Sequence, residues 1–380
     1  MVEEIKKEDT EEKSEKKKMD PGMKWVIFAD VLGALVIGLL IWANIVERQG
    51  MAEAAKKAAQ EQQAVSTQQP APAATPEAQK KTLNENYDYD LKLTPENCDG
   101  VSGTVDLVLI TDTNYMDFTR VAINSAKETK CPLSHYNFNV MTVDVSQSDM
   151  NALKALGNDT VKVRILPQQE ADLFYVRDTH VSKASLLKYY IPNAVPELDK
   201  VLYIDSDVLV LHDLNKLFQT DIDNVYLAAV KDPSWFFENT HVVELNLDKR
   251  GFYFNSGVML MNLKKFREDN LIEKLETFTN NNFRTYMDQD ALNVVVGDKV
   301  SLLPFEDNAI NFFFEHVDMA DMNNFYDRNW KTYDDVFAPV TILHFASSKK
   351  PLGEMAPKNK FFHMLQRLWY KYYTPLPPLD

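Results

Sequence analysis

The chain has 380 residues, 45% of them hydrophobic, with 16 Tyr, 21 Phe and 5 Trp, and a formal net charge of −15. At roughly 100–200 residues per domain this leaves room for one large catalytic domain plus appendages around a sizeable core. The acidic balance excludes a nucleic-acid partner, whose phosphates demand a basic surface, and 2 cysteines cannot build a zinc finger or a disulfide framework. Cys98 and Cys131 read as free buried thiols, with pairing the alternative in an oxidising compartment.

Residues 1–24 mix Lys and Glu with almost no apolar side chains and read as a disordered charged tail. From Trp25 to Val46 only Asp30 and Asn44 are strongly polar. That length matches the ~20 apolar residues of a membrane-spanning helix, and Trp25 and Trp42 suit the two headgroup belts. A cleaved signal peptide carries only about 7–15 apolar residues, so the expectation is an uncleaved, single-pass membrane anchor. Lys13, Lys16, Lys17, Lys18 and Lys24 before it, against Arg48, Lys56 and Lys57 after it, place the N-terminus in the cytoplasm. Residues 47–90 read as a helical stalk followed by a Gln/Pro/Ala linker.

The globular domain is expected over 91–357. Val105–Ile110 is an apolar strand running into Thr111-Asp112-Thr113-Asn114-Tyr115, and Phe118–Lys127 has helical periodicity. Strand Phe138–Val145, a helix around Met150–Leu156 stopped by Gly157, strand Val161–Leu166 and a helix from Ser182 to Tyr190 ended by Pro192 follow. Asn158-Asp159-Thr160 is a formal glycosylation sequon. Past position 210 come a short helix at Leu214–Phe218, strand Tyr226–Val230 and a strand Phe252–Asn262 interrupted at Asn255-Ser256-Gly257. A long helix, Leu263–Thr279, precedes one opened by Asp288-Gln289-Asp290 with Asp288 as N-cap. Strand Val340–Phe345 carries His344 among apolar neighbours, where a lone His is usually a satisfied core residue. Residues 358–380 form an amphipathic helix and tail, expected to pack onto the domain, with membrane-surface docking the alternative. Alternating strands and helices give an α/β fold with a parallel sheet. Neither a P-loop nor a dinucleotide-binding glycine pattern is present.

The most informative stretch is Val201-Leu202-Tyr203-Ile204-Asp205-Ser206-Asp207-Val208-Leu209-Val210. Four apolar residues in a row suit a strand buried on both faces, and two carboxylates at i, i+2 on an extended backbone point the same way. Two unpaired carboxylates repel each other, and a hard cation is their natural partner. Parallel sheets hold ligands beyond the carboxyl ends of their strands, which is where this pair sits. The plainer reading is a polar turn after a strand.

Taken in order, Thr111–Tyr115, the Asp205-Ser206-Asp207 stretch, Phe254-Asn255-Ser256-Gly257-Val258, Asp288-Gln289-Asp290 and His344 with Lys350-Pro351 resemble the motifs of family 8 glycosyltransferases. The resemblance covers about Val105 to Leu352 and implies a retaining enzyme of GT-A fold, a Rossmann-like, mostly parallel sheet flanked by helices. It implies metal ligands at Asp205, Asp207 and His344, a set suited to Mn²⁺, with Mg²⁺ the alternative on the oxygens alone. It implies donor-binding roles for Thr111, Asp112, Asn114, Tyr115, Lys188, Asp205, Ser206, Asn255 and Lys350, and places Asp288 and Gln289 at the catalytic centre beside the donor sugar. An exposed helix charge is the competing reading of Lys188. The expected reaction moves a hexose, glucose or galactose, from a UDP-sugar to a glycan or glycolipid acceptor.

The chain departs from the family pattern at Ser347, where glycine is usual, and at Leu352, where tryptophan is usual. A catalytically inactive, anchored glycan-binding or scaffold protein is the alternative. Dehalogenase-like phosphatases also use Asp-x-Asp after an apolar strand. They want Thr two residues after the second Asp, however, and Leu209 stands there. The lysine bias exports the domain, whereas in a bacterial cell the donor requirement keeps it in the cytoplasm.

Overall fold

The computed structural model describes residues 93–94, 96–157, 160–166, 183–233, 239–281, 286–311, 317, 319–347, 349–353 and 360–374. Seven strands form the main sheet in the order β3-β2-β1-β4-β7-β6-β8. They are β1 Gly103–Ile110, β2 Ser134–Thr142, β3 Val161–Ile165, β4 Lys200–Ile204, β6 Leu227–Lys231, β7 Phe254–Asn262 and β8 Val300–Leu302. Only β7 runs against its neighbours β4 and β6; the remaining pairings are parallel. A second sheet joins β5 Val208–Val210, β10 Ile342–His344 and β9 Ala309–Ile310 in that order.

The apolar runs read as doubly buried strands because their period-2 alternation divides them between two cores. Val108, Ile110, Val201, Tyr203, Met259 and Met261 enter one cluster, and Leu107, Leu109, Leu202, Ile204, Val258 and Leu260 the other. Helices α1 Met116–Thr129 and α2 Gln147–Ala155 cover the second face, and α3 Leu271–Asn281 and α4 Met287–Val296 the first. Each fully buried aliphatic side chain contributes ~1.5–3 kcal/mol, so the central strands are the least deformable part of the molecule. Helix α5, Lys360–Tyr372, lays Met364, Leu365 and Trp369 against Phe118 and Val121 of α1.

Several local expectations change. The backbone is not extended through the carboxylate pair: the chain turns between β4 and β5, as the plainer reading had it, and β5 leaves for the second sheet. Lys183–Tyr190 is a 3₁₀ helix rather than an α-helix, and Pro192 lies in the first turn of the helix Ile191–Ala194 instead of ending one. Proline is tolerated there because the first-turn N–H groups have no intrahelical acceptor. The helix over 263–279 is two helices, Leu263–Glu268 and α3, parted where Asn270 adopts a left-handed φ of 50°. Strand β7 runs unbroken through Asn255-Ser256-Gly257. The N-cap of α4 is Tyr286, and Asp288 sits inside the first turn.

Cys98 and Cys131 form a disulfide, not two free thiols, with Cα atoms 5.4 Å apart. The segment before β1 folds back onto the domain, Thr94 N–H donating to Ala338 O (2.9 Å) and Asp213 N–H to the Glu96 carboxylate (2.8 Å). That brings Cys98 against the loop ahead of β2.

The single-pass membrane assignment is corrected. A span needs about 20 apolar residues, and among the described residues no helix is long and apolar enough to cross a membrane. The tail, the 25–46 stretch, the stalk and linker, and Asn158 and Asp159 of the sequon lie outside the described residues.

The 3₁₀ turn Phe305–Asn308 links β8 to β9 and buries Asp307. Burial pushes its carboxyl up to about 6, aided by Glu306 and opposed by a hydrogen bond to Thr341. A raised carboxyl pKa favours the protonated form in the folded state. Its stabilisation is therefore complete below the unfolded value of about 3.9 and is lost as pH rises through about 6. Asp307→Asn is expected to raise stability at pH above 7, by on the order of 3 kcal/mol at most, and to change little near pH 4. Melting curves of both proteins between those limits check this; parallel curves across the range contradict it.

Candidate active site

The carboxyl ends of the central strands converge on one carboxylate–imidazole cluster. After β4 the chain turns, and Asp205 N–H donates to Gly257 O on β7 (2.7 Å), fixing the first carboxylate against that strand. Two residues later, Asp207 O accepts Phe345 N–H (2.9 Å) just past β10. Strand β10 runs antiparallel to β5 with His344 opposite Val208. Imidazole Nε2 consequently lies 3.3 Å from Asp207 Oδ1 and 3.7 Å from Asp205 Oδ2. One ligand atom from each of the three residues falls within 4.8 Å of the others. Ligands bound at about 2.0–2.2 Å around one cation stand roughly 3–4.5 Å apart, so the trio lies close to the spacing at which one divalent ion could be shared. Two hard oxygens and one borderline nitrogen form a donor set able to hold a divalent cation.

Gly257 makes this approach feasible: a Cβ there would lie 2.2 Å from His344 Cε1 and 2.7 Å from Asp205 Oδ2. Two lysines hold the outer carboxylate oxygens. Lys350 Nζ contacts Asp207 Oδ2 (2.5 Å) and Phe345 O (2.8 Å). Lys188 Nζ lies 3.3 Å from Asp205 Oδ1 and 2.8 Å from Asp288 Oδ2, stacked over the Tyr203 ring. Lys188 is 4% exposed, which removes the exposed-charge reading. Burial alone would raise the Asp207 carboxyl, but Lys350 and His344 outweigh it and hold it well below the usual carboxylate range. Burial alone would lower both lysines, yet Asp207 raises Lys350, and Asp205 and Asp288 raise Lys188. All three stay charged.

On the far side of the cluster β7 meets α4. Gln289 Oε1 accepts Ser256 N–H (3.0 Å) and Asn255 Nδ2–H (3.1 Å), and Gln289 Nε2 donates to Asp232 Oδ2 (3.1 Å). Asp288 Oδ2 accepts the Ser256 hydroxyl (3.0 Å) beside Lys188. The loop after β1 closes the other side. Asp112 Oδ1 accepts the N–H groups of Asn114 (2.9 Å) and Tyr115 (3.1 Å), shaping a 3₁₀ turn that leaves Asn114 exposed. Burial raises the Tyr115 hydroxyl, opposed by Lys350 and reinforced by Asp207, which ties this loop electrostatically to the cluster.

Thr111 and Ser206 belong to the support beneath rather than to an open surface. Thr119 Oγ1 lies 2.8 Å from both hydroxyls, and Ser206 donates to Ile110 O (2.7 Å). Ser347 turns its hydroxyl to Lys349 O (3.2 Å), and it is not among the non-glycine residues of positive φ. The glycine usual at that position is therefore not demanded by backbone conformation here. Leu352 packs, partly buried, against the core below α5. Asp232 and Asn308 escaped the sequence reading. Asp232 directly follows β6, so the rule that ligands gather past parallel strand ends would have found it. Nothing in sequence marks Asn308.

The domain is a mostly parallel α/β sheet carrying this cluster past its strand ends. The model of glycosyl transferase family 8 matches residues 106–355, and the chain belongs to that family. Glycosyltransferase GlyB of Streptococcus pneumoniae is 31% identical over 274 residues, covering 71% of this chain and 61% of the relative. Lipopolysaccharide 1,2-glucosyltransferase of Escherichia coli is 29% identical over 170 residues, 43% of this chain and 48% of that one. Among solved structures, the galactosyltransferase LgtC with donor and acceptor sugar analogues superposes with a TM-score of 0.61 at 21% identity. The match covers 72% of this chain and 98% of that one, and it supports the fold alone.

Proposed function

We propose that the chain transfers a hexose, glucose or galactose, from a UDP-sugar to a glycan or glycolipid acceptor with retention of anomeric configuration, assisted by Mn²⁺ or Mg²⁺. The observation carrying this reading is the convergence of Asp205, Asp207 and His344 within 4.8 Å, flanked by the buried Lys188 and the half-buried Lys350. A bound divalent ion supplies Lewis acidity that neutralises charge on the departing diphosphate. Lys350 is the protein's own cation for that charge, and Asp112, Asn114 and Tyr115 line the side assigned to the nucleoside. Asn255, Asp288, Gln289 and Lys188 surround the sugar.

Retention requires either a protein nucleophile or attack on the face the nucleotide leaves. Gln289 is an uncharged amide whose oxygen and nitrogen are both engaged. Asp288 is ion-paired with Lys188. Neither offers a free carboxylate, which favours same-face attack in a site organised by fixed charges.

Thermal stabilisation by a panel of sugar nucleotides with and without Mn²⁺ tests the reading. UDP-glucose or UDP-galactose is expected to raise the melting temperature only with the metal, and EDTA to reverse the effect. Equal shifts with guanosine and thymidine sugar nucleotides, or insensitivity to EDTA, would exclude it.

A further inference from the structure

We propose that Asn308 is a positioning residue that locks His344 in the tautomer able to bind a metal through Nε2. The consequence for metal affinity rests on the metal centre proposed above; the tautomer itself does not.

One donor in the network has no alternative role. Gly257 N–H is a backbone donor, and it lies 2.9 Å from Asn255 Oδ1. The Asn255 amide is therefore oriented with its oxygen toward Gly257 and its nitrogen toward Asp232 Oδ2 (2.8 Å). Asn308 Nδ2 stands 2.9 Å from that same Asn255 oxygen. Since a carbonyl oxygen only accepts, Asn308 must present its NH₂ group there. Its own oxygen is then left facing His344 Nδ1 at 3.0 Å. An amide oxygen accepts as well, so His344 Nδ1 carries the hydrogen and donates it. In the neutral ring the lone pair sits on Nε2, the nitrogen 3.3 Å from Asp207 Oδ1 and 3.7 Å from Asp205 Oδ2. Histidine ligands generally need such an acceptor on the far nitrogen to fix tautomer and ring orientation. Here it is a fully buried side-chain amide.

The chain of forced orientations continues outward. Asn255 Nδ2 also lies 3.1 Å from Gln289 Oε1, whose amide is set by Ser256 N–H (3.0 Å). Gln289, Asn255, Asn308 and His344 thus form one relay from the sugar side to the imidazole. Asn308 is the link that touches the imidazole without itself lying among the proposed ligands.

The test uses the full chain. In ¹⁵N-histidine spectra of the metal-free protein at about pH 8, the His344 signal, assigned by its loss in His344→Gln, is expected to show the Nδ1–H form. Asn308→Leu removes the acceptor and is expected to shift His344 toward the Nε2–H form and weaken Mn²⁺ binding in calorimetry about 10–100-fold. Asn308→Asp keeps an acceptor opposite Nδ1 while giving up the donor to Asn255 Oδ1, so it is expected to retain a hydrogen on Nδ1, which Asn308→Leu loses. An Nδ1 without its hydrogen in the unsubstituted protein, or unchanged Mn²⁺ affinity in Asn308→Leu, overturns the proposal. Loss of the Nδ1 hydrogen in Asn308→Asp as well as in Asn308→Leu assigns Asn308 to packing instead and overturns it too. If Asn308→Leu does not fold, the spectra of the unsubstituted protein and of Asn308→Asp decide the question. Absence of Mn²⁺ binding by the unsubstituted protein would remove the proposed metal centre while leaving the tautomer measurable.

Discussion

Asp207→Asn is expected to lower metal-dependent UDP-sugar hydrolysis and transfer by about 10³-fold, or ~4 kcal/mol of barrier, while leaving the fold intact. The substitution is nearly isosteric, so the buried pocket between His344 and Lys350 stays filled. An amide oxygen remains within reach of the lysine, which spares the ~3–5 kcal/mol cost of leaving a buried charge wholly without a partner. What disappears is the negative charge 3.3 Å from His344 Nε2, and with it the strongest attraction for a divalent ion. Calorimetric Mn²⁺ titration and hydrolysis at saturating metal report the loss separately from stability. A rate near that of the unsubstituted enzyme would sink the metal reading. The sign of the pH dependence follows from the same geometry. Because Lys350 and His344 depress the Asp207 carboxyl despite its burial, its stabilising contribution is fully present above the unfolded value of about 3.9. It fades only as pH falls through the depressed one.

That carboxylate was legible in sequence because apolar runs and acidic pairs are local patterns, and so was the alternation that gives a parallel sheet. The reason given for the convergence was wrong in detail, however. An extended Asp205–Asp207 segment was expected, whereas a turn between two sheets brings the carboxylates together. His344 read locally as a core residue, and it is in fact 2% exposed. Its second identity depends on β10 pairing with β5 more than 130 positions earlier, which no window of sequence contains. Asn308 was invisible for a related reason: an amide acquires its role from the groups the fold sets opposite it. Lys188 was open between surface and site until the 3₁₀ helix was seen to bury it against Asp205 and Asp288. The disulfide was misjudged because composition says nothing about how the segment before β1 folds back.

Gly257→Ala is the second variant for which a large effect is expected, and it turns on space rather than backbone conformation. The added methyl carbon would lie 2.2 Å from His344 Cε1, 2.9 Å from His344 Nδ1 and 2.7 Å from Asp205 Oδ2. None of these neighbours is the free end of a flexible side chain. The imidazole is held by Asn308, and the Asp205 carboxylate by Lys188 and the Tyr203 hydroxyl. The backbone cannot retreat either, since β7 is paired with β4 through Val258 and Ile204 in the middle of the sheet. Relief must come from swinging His344 out of register with the two aspartates. The expected result is Mn²⁺ affinity at least 100-fold weaker, a loss of roughly 3 kcal/mol, together with an overpacking cost of ~1–3 kcal/mol in stability. Direction distinguishes this from a generic strand effect. Replacing glycine by alanine in an unobstructed strand stabilises it by about 0.5–1 kcal/mol, so a variant that melts higher and still binds Mn²⁺ would show that the methyl group fits and that the cluster is not packed as described.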